Sequence, residues 1–544
     1  MAHLARKTKI ACTLGKSSSS KEVLIELLRS GMDIARISDR FLTISKQEVL
    51  TNLREAMDEA GIHVGIMVGL RESDLRLGYH SSNEPLILQK EDTVQIITTP
   101  IAGIEGHAIQ CNNMEFPNLV IPGDHLLIDF GKIVFTVIEI RDIVKTPDPA
   151  DILDHRLNGS SDDLHHHMKT SGSMNEFPTY KTEGMHKSDS FHSRPKRTKP
   201  KTAKHRSQKV VICRVEQNCT FLADKPVHIR PIGKREAPVS YANDIEDIKD
   251  ATWASENDLD FLVYKQVRDE IDLADVFTVP LPNIKKYIGI QNKDSADLKE
   301  SLIRSADGIV IGRGMLALET SLAEVCRMQK EIIKLCNELG KPVVISTQLL
   351  ESMVHKHTPS SSEVTDITNA VLDGCDALLL TGETAYGDNP VAALQACSRI
   401  CLEAERFLDY QSQCESILST IRENITVAEN ICYCAVRSIL TLNGKLIVCL
   451  TQSGYTAQLI SRFMPPCMIL ALTDSMKTLH SLRIVRGVYP VFIKNYQGPL
   501  IGQAMEIIKQ TGLGKVGDVV AYLGSFEDHF EAGATSSLKI ITIV

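Results

Sequence analysis

This chain predicts an α/β protein: a (β/α)8 barrel, a small β-domain inserted into that barrel, and a second α/β domain behind it. Three observations carry the expectation. Short β-branched runs alternate with amphipathic helical patterns, the rhythm of βα units around a parallel sheet. Eight such runs occur before residue 400, the number that closes a barrel. Between the third run, ending at Leu70, and the fourth, opening at Asp260, lies a stretch far too long for a simple connection. At 544 residues the chain also exceeds a single core, and about two to four domains are expected.

In order, the barrel strands are TKIACTL from Thr8, DIARI from Asp33, HVGIMVGL from His63, DFLVY from Asp260, KYIGIQ from Lys286, GIVIGR from Gly308, PVVISTQ from Pro342 and ALLLT from Ala377. Helices between them include KEVLIELLRSG and LAEVCRMQKEIIKLCNELG, the second closed by a glycine cap. The barrel is assigned to residues 1–80 and 236–400, with its chemistry at the carboxyl ends of the strands. Residues 81–235 form the inserted β-domain, on the strength of PLILQKEDTVQIITT, HLLIDFGKIVFTVIEI and KVVICRVEQNCTFL.

Within the insertion, residues 145–208 change character. DDLHHHMKTSGSMNEF is rich in Ser, His and Gly, and Arg194–Lys209 carries eight basic residues. Too few apolar side chains remain there to offset ordering entropy, so a disordered, dispensable loop is expected. Sharper alternatives are a nuclear-localisation or anion-binding patch, or a metal tract at His165–His167. After about residue 400 a long helix leads into LNGKLIVCLTQSGYTAQLISRF, PCMILALTD, VYPVFIK, DVVAYLG and SLKIITIV, an α/β unit over 401–544.

Composition narrows the function class. A hydrophobic fraction of 43% and a charged fraction of 24% describe an ordinary globular protein, and the net charge of −8 argues against nucleic acid as partner. No apolar run reaches membrane-spanning length and MAHLARKTKIACTLG has no signal-peptide core, so a cytoplasmic protein is expected. The fourteen cysteines lack CxxC or zinc spacing, and Cys12, Cys336, Cys375 and Cys449 sit in apolar runs as buried, reduced thiols.

The densest motifs lie between Ser305 and Pro390: SADGIVIGRGMLALE, KPVVISTQLLESM and DITNAVLDGCDALLLTGETAYGDNP. They resemble the catalytic barrel of pyruvate kinase. IPGDHLLIDFGKI resembles the strand-turn-strand element of that family's lid, and the last domain resembles its carboxyl-terminal domain. The resemblance spans nearly the whole chain except 145–208. It implies phosphate transfer between phosphoenolpyruvate and ADP, a chemistry that needs positive charge over the moving phosphoryl group and metal ions to neutralise its oxygens.

Carried over residue by residue, the resemblance implies that Arg36 contacts phosphate. The family's potassium-holding asparagine and serine fall at Ser38 and Arg40, and an arginine there supplies its own positive charge. On the third strand the family's Asp-Thr-Lys-Gly-Pro-Glu-Ile-Arg falls on Gly69, Leu70, Arg71, Glu72, Ser73, Asp74, Leu75 and Arg76, so only Asp74 and Arg76 match in kind. The Lys-Ile-Glu-Asn of the fifth strand falls on Gly289, Ile290, Gln291 and Asn292, leaving no cation at 289 and no formal charge at 291. After Arg313 and Gly314 comes Met315, a soft neutral thioether where the resemblance implies a magnesium-binding aspartate. The amides after Gly314 remain available to an anion. Thr347 matches a threonine near the substrate carboxylate, Glu383 is kept, and Tyr386 stands where lysine is usual.

In the last domain Thr451, Ser453, Gly454 and Thr456 form an effector-loop candidate, a phosphate cradle at a helix start. Helix capping by Thr451 and Ser453 is the plainer account, and the acidic SFEDHFEAG loop argues against a tight bisphosphate site.

Together these replacements favour a family member that keeps the scaffold and loses the chemistry. It would act as a scaffold, partner subunit or phosphometabolite sensor in glycolysis. Arg36, Arg76, Gly314 and Thr347 would form a metal-free anion pocket binding a phosphorylated small molecule. The expected assembly is a homotetramer, or a hetero-oligomer with an active pyruvate kinase, with neither membrane nor nucleic acid involved. The alternative is a weakly active pyruvate kinase that uses Mg²⁺ and K⁺.

Overall fold

The computed structural model describes residues 5–543 except 39–40, 71–74, 79–84, 100–106, 130, 144–207, 222–224, 233–243, 266, 277–280, 282, 422–424, 495–499 and 525–535. Strands β1 (Lys9–Thr13), β2 (Ile34–Ile37) and β3 (Gly65–Gly69) open the barrel. The insertion follows with β4 (Leu75–Leu77), β5 (Leu86–Leu88), β6 (Thr93–Ile97), β7 (His107–Gln110), β8 (His125–Ile128), β9 (Ile133–Ile143), β10 (Gln208–Val215), β11 (Cys219–Phe221) and β12 (Lys225–Arg230). The chain then returns to the barrel through β13 (Phe261–Tyr264), β14 (Lys285–Ile290), β15 (Gly308–Gly312), β16 (Val343–Ser346) and β17 (Ala377–Leu380), and β17 pairs with β1 to close it. All eight expected runs are barrel strands, and each pairs in parallel with its neighbours.

Alternation along each strand sorts side chains into two layers. Ala11, Ile34, Met67, Val263, Tyr287, Val310, Val344 and Leu379 pack together inside the barrel. Their neighbours Ile10, Cys12, Ala35, Val68, Leu262, Ile288, Ile309 and Leu378 pack outward against the helices. Both faces are buried, so the strands read as continuous apolar runs rather than as alternating ones. Phe261 meets Tyr287 edge-on, with ring centroids 5.6 Å apart.

Helix ends follow local chemistry. The helix Leu322–Leu339 starts at a capping box of Ser321 and Glu324 and ends at Gly340, whose φ of 66° is left-handed. The long helix expected after residue 400 is instead two, Tyr410–Ile421 and Val427–Leu442. The second opens at its own capping box, Thr426 with Glu429, which restarts the helix rather than continuing it.

The insertion forms a sheet in the order β4-β12-β8-β9-β10-β6-β7, with β5 and β11 paired apart. The last domain is a sheet of β18 (Leu446–Leu450), β19 (Met468–Thr473), β20 (Val488–Phe492), β21 (Val519–Gly524) and β22 (Ser537–Thr542), parallel except where β22 runs against β21. It seats on the amino ends of the barrel strands. Lys9 Nζ donates to Val488 O at 2.7 Å, Lys477 Nζ to Leu259 O at 2.6 Å, and the Arg486 amide to Asp376 Oδ1 at 3.1 Å. The carboxyl ends face the insertion instead, where Lys132 pairs with Glu351 and Arg230 Nη2 donates to Leu318 O at 3.3 Å. Except for Gln208, which opens β10, the loop expected at 145–208 lies outside the described residues, and His165–His167 with it. Among the described residues no helix is long and apolar enough to cross a membrane.

Candidate active site

The inward alternation continues one step beyond the apolar layer. At the carboxyl ends it places Thr13, Arg36, Gly69, Lys265, Gly289, Gly312, Ser346 and Thr381 around the barrel mouth, one from each strand. Three members of this ring are glycines, and their missing side chains are filled by neighbours. A Cβ at Gly69 would stand 3.0 Å from Lys265 Cε, 3.4 Å from Lys265 Nζ and 3.1 Å from Arg36 Nη2. A Cβ at Gly312 would collide with Gln291, whose Cγ lies 2.7 Å from that point. One at Gly289 would meet Gln291 Nε2 at 3.1 Å and Lys265 Cα at 3.3 Å.

Arg36 is buried, and its Nη1 donates to Thr13 Oγ1 at 3.4 Å. Gln291 is 9% exposed, and its Oε1 is buried without a hydrogen-bond donor. A buried acceptor left unpaired costs free energy. Asn292, next along, caps the following short helix with Ser295 in a reciprocal box.

The turn after β16 is strained. Thr347 has φ 70° and Gln348 has φ 54°, a left-handed conformation that is a marked outlier for a β-branched residue. Arg313 holds it. The guanidinium donates to Thr347 O from Nε (3.2 Å) and Nη2 (2.9 Å), and to Gln348 O from Nη2 at 2.7 Å. Its Nη1 meets the Asp366 carboxylate at 2.7 and 2.8 Å. Thr347 Oγ1 accepts the Gly314 amide at 2.9 Å and donates to Ser346 O at 2.6 Å. The Gly314 amide is therefore taken by Thr347 rather than left open to an anion.

Glu383 is buried and accepts the Leu350 amide at 3.0 Å and the Thr381 amide at 2.7 Å. Burial pushes its carboxyl above the usual range, and its work is to brace two loops. Tyr386 packs on Phe41, with centroids 5.9 Å apart. Arg76 lies on β4, opposite Pro226 of β12, so it belongs to the inserted sheet rather than to a barrel strand. Its amide donates to Asn112 Oδ1 at 2.8 Å. Arg40, Arg71 and Asp74 lie outside the described residues.

The described residues do not fit a divalent ion. Met315 is half-buried in the helix Arg313–Glu319 and offers only a thioether. Glu319, the nearest carboxylate along that helix, is engaged by Arg268 Nη2 at 3.2 Å and by the Lys293 amide at 3.0 Å. Asp294 is paired with Arg268 Nη1 at 2.9 Å. Among the described residues no group of three or more His, Cys, Asp or Glu side chains converges on a point. For a monovalent ion, Ser38 is the described side-chain oxygen of the set, since Gly69 and Leu70 have none.

In the last domain, Thr451 Oγ1 accepts the Gly454 amide at 2.9 Å, and Gly454 takes φ 87° ahead of the helix Tyr455–Arg462. Thr451 and Thr456 are buried, whereas Ser453 is exposed and makes no cap bond to that helix. Thus the Thr451 hydroxyl closes the turn and that of Ser453 faces solvent. Cys12, Cys336, Cys375 and Cys449 are free and fully buried, and burial pushes each thiol pKa up.

Lys265 is the member of the ring that motif matching passes over. The signal was present: DFLVY points Phe261 and Val263 inward, and the next inward position is Lys265.

Comparison with known proteins matches this geometry to one family. The pyruvate kinase barrel domain matches residues 5–147 and 200–394, and the pyruvate kinase alpha/beta domain matches 429–541. The chain is 28% identical to pyruvate kinase of Trypanoplasma borreli, over 99% of this chain and 96% of that one. It is 29% identical to pyruvate kinase of Thermotoga maritima, over 99% and 100%, and 28% identical to a cytosolic isozyme of pyruvate kinase from Glycine max, over 99% and 96%. The structure of Cryptosporidium parvum pyruvate kinase in complex with ADP superposes with a TM-score of 0.78 at 27% identity, covering 99% of this chain and 96% of that one. With both of its domain models matched in place and relatives aligned end to end, the chain belongs to the pyruvate kinase family.

Proposed function

We propose that this chain is a weakly active pyruvate kinase, transferring phosphate from phosphoenolpyruvate to ADP far more slowly than its relatives do. The observation that carries the reading is the full-length match together with a barrel mouth that is still built for an anion: a buried Arg36 and a strained, Arg313-braced turn at Thr347. In this reading Arg36 faces the phosphate and Thr347 the carboxylate end of the substrate. Gly289, Gln291 and Met315 account for the attenuation, because they supply neither a cation for the moving phosphoryl group nor anionic oxygens for a divalent ion.

Losing one such transition-state contact costs several kcal/mol, about a thousandfold in rate. Set against roughly 1–100 s⁻¹ for kinases in general, turnover of about 0.1 s⁻¹ or less is expected. The test is pyruvate formation, coupled to NADH oxidation, at high protein concentration with Mg²⁺ and K⁺ supplied. A signal equal to the protein-free blank rejects the reading. We also place the protein in the cytosol, as a homotetramer or as a partner of an active pyruvate kinase.

A second reading, a non-catalytic subunit or sensor, is favoured by one observation: the buried Gln291 carbonyl over Gly312, which is unpaired and carries no formal charge. Binding of phosphoenolpyruvate without turnover would select it.

A further inference from the structure

We propose that the seam between the barrel and the last domain holds a second binding site, one that takes the carboxylate end of a small organic acid on Arg486. A cleft runs there between the amino ends of β16 and β17 and the last domain. Lys341 and Asp376 line it from the barrel, and Gln458, Ser461, Arg462 and Arg486 from the last domain. Its enclosed part has room for about one or two groups of water size, which suits a carboxylate head and not a whole sugar phosphate.

Arg486 is 4% exposed, and its Nε and Nη2 are buried with no hydrogen-bond partner among the described residues. Those two N–H groups share one edge of the planar guanidinium, the edge that meets both oxygens of a carboxylate at once. The backbone of the residue is pinned on both sides. Its amide donates to Asp376 Oδ1 at 3.1 Å, and its carbonyl accepts Ser461 Oγ at 2.7 Å. Protein groups offset the charge without filling the edge. Asp376 is the carboxylate that feels Arg486, yet its two oxygens accept the Arg486 and Val343 amides. The Tyr410 ring centroid lies 6.0 Å from the guanidinium carbon. Arg462 is a second, independent sign. Its Nη1 pairs with Glu429 at 2.7 Å and its Nη2 donates to Glu338 O, while its Nε is buried and unpaired as well. Buried donors left unpaired cost free energy, which a carboxylate seated on them recovers. Neither unpaired nitrogen of Arg486 touches solvent, so the acid enters as the seam loosens and holds the two domains together once seated.

The experiment follows the melting temperature of the full chain in rising sodium formate, with sodium chloride holding the ionic strength constant. Wild type gains stability with formate and saturates. Arg486→Lys keeps the charge but lacks the two-pronged edge, so its formate midpoint moves up by about tenfold or more. Gln458→Glu, at a half-buried position on the cleft wall, sets a fixed negative charge there and moves the midpoint the same way. It decides the matter if Arg486→Lys does not fold. The inference is overturned if exchanging chloride for formate leaves the melting temperature of wild type unchanged. It is overturned equally if the variants that fold respond to formate as wild type does.

Discussion

Replacing Gln291 with glutamate and Met315 with aspartate should install a divalent-ion site, and the free energies can be worked from the contacts. Gln291 Oε1 is buried with no donor beside it. Glutamate is nearly the same shape, so Gln291→Glu alone puts a carboxylate oxygen where no hydrogen-bond donor meets it. An unpaired buried group costs about 1–3 kcal/mol, and a charged one more, so a loss of about 2 kcal/mol or more is expected at neutral pH. At about 2–4 °C per kcal/mol for domains of comparable size, the melting temperature falls by roughly 4–8 °C. Adding Met315→Asp brings a second carboxylate from the first turn of the helix Arg313–Glu319, and in chelator the double variant is less stable still. With Mn²⁺ present at about a hundredfold its dissociation constant, binding restores about 2.7 kcal/mol. Differential scanning calorimetry in chelator and in Mn²⁺ reads all three states. The reasoning is refuted if wild type itself gains several degrees in Mn²⁺, because a divalent site would then exist without those carboxylates. A double variant indifferent to Mn²⁺ would refute it too.

Three further outcomes follow from other parts of the structure. Arg313→Met frees the left-handed Thr347–Gln348 turn and strips Asp366 of its partner, so a loss of about 2 kcal/mol or more is expected by thermal melting; Arg313→Lys does not restore it, since an ammonium cannot reproduce the planar fork. Asp376 is buried between barrel and last domain, and burial raises its pKa from 3.8 to about 6. The folded state then holds the proton more tightly than the unfolded one, so this group's contribution to stability is complete below about pH 4 and falls as pH rises toward 6, by an order of 3 kcal/mol; Asp376→Asn flattens that window in denaturant titrations. Light scattering of the pure protein should report a tetramer, and a stable monomer that captures no active pyruvate kinase would rule out the partner-subunit role.

Most of the architecture was legible because barrel strands leave a strong mark. Runs such as GIVIG and ALLL are buried on both faces, so they stand out as unbroken apolar segments between helices with clear caps. The inserted sheet was legible as a region, but Arg76 was not placed on it. No break in LRESDLRL shows where a barrel strand ends and β4 begins, and only the pairing with β12 reveals it. The single long helix after residue 400 divides because Thr426 and Glu429 form a capping box that apolar periodicity does not register.

At the site, residue types could be read but not their surroundings. A glutamine at 291 is visible in sequence; that its carbonyl lies buried and unpaired over Gly312 is a tertiary fact. The positive φ of Thr347 leaves no trace in local sequence, since nothing short of the Arg313 brace explains it. Lys265 escaped because the motifs are matched along one strand at a time. Its relation to Gly69 and Gly289 runs across three strands, through the shared inward layer.

The most direct measurement is steady-state pyruvate formation from phosphoenolpyruvate and ADP by the purified full chain, with Mg²⁺ and K⁺, at several protein concentrations. The account predicts a rate that scales with protein and corresponds to about 0.1 s⁻¹ or less, given the cost of a missing transition-state charge. A rate within the ordinary kinase range would contradict the attenuation assigned to Gly289, Gln291 and Met315, and no rate above the blank would contradict the activity itself.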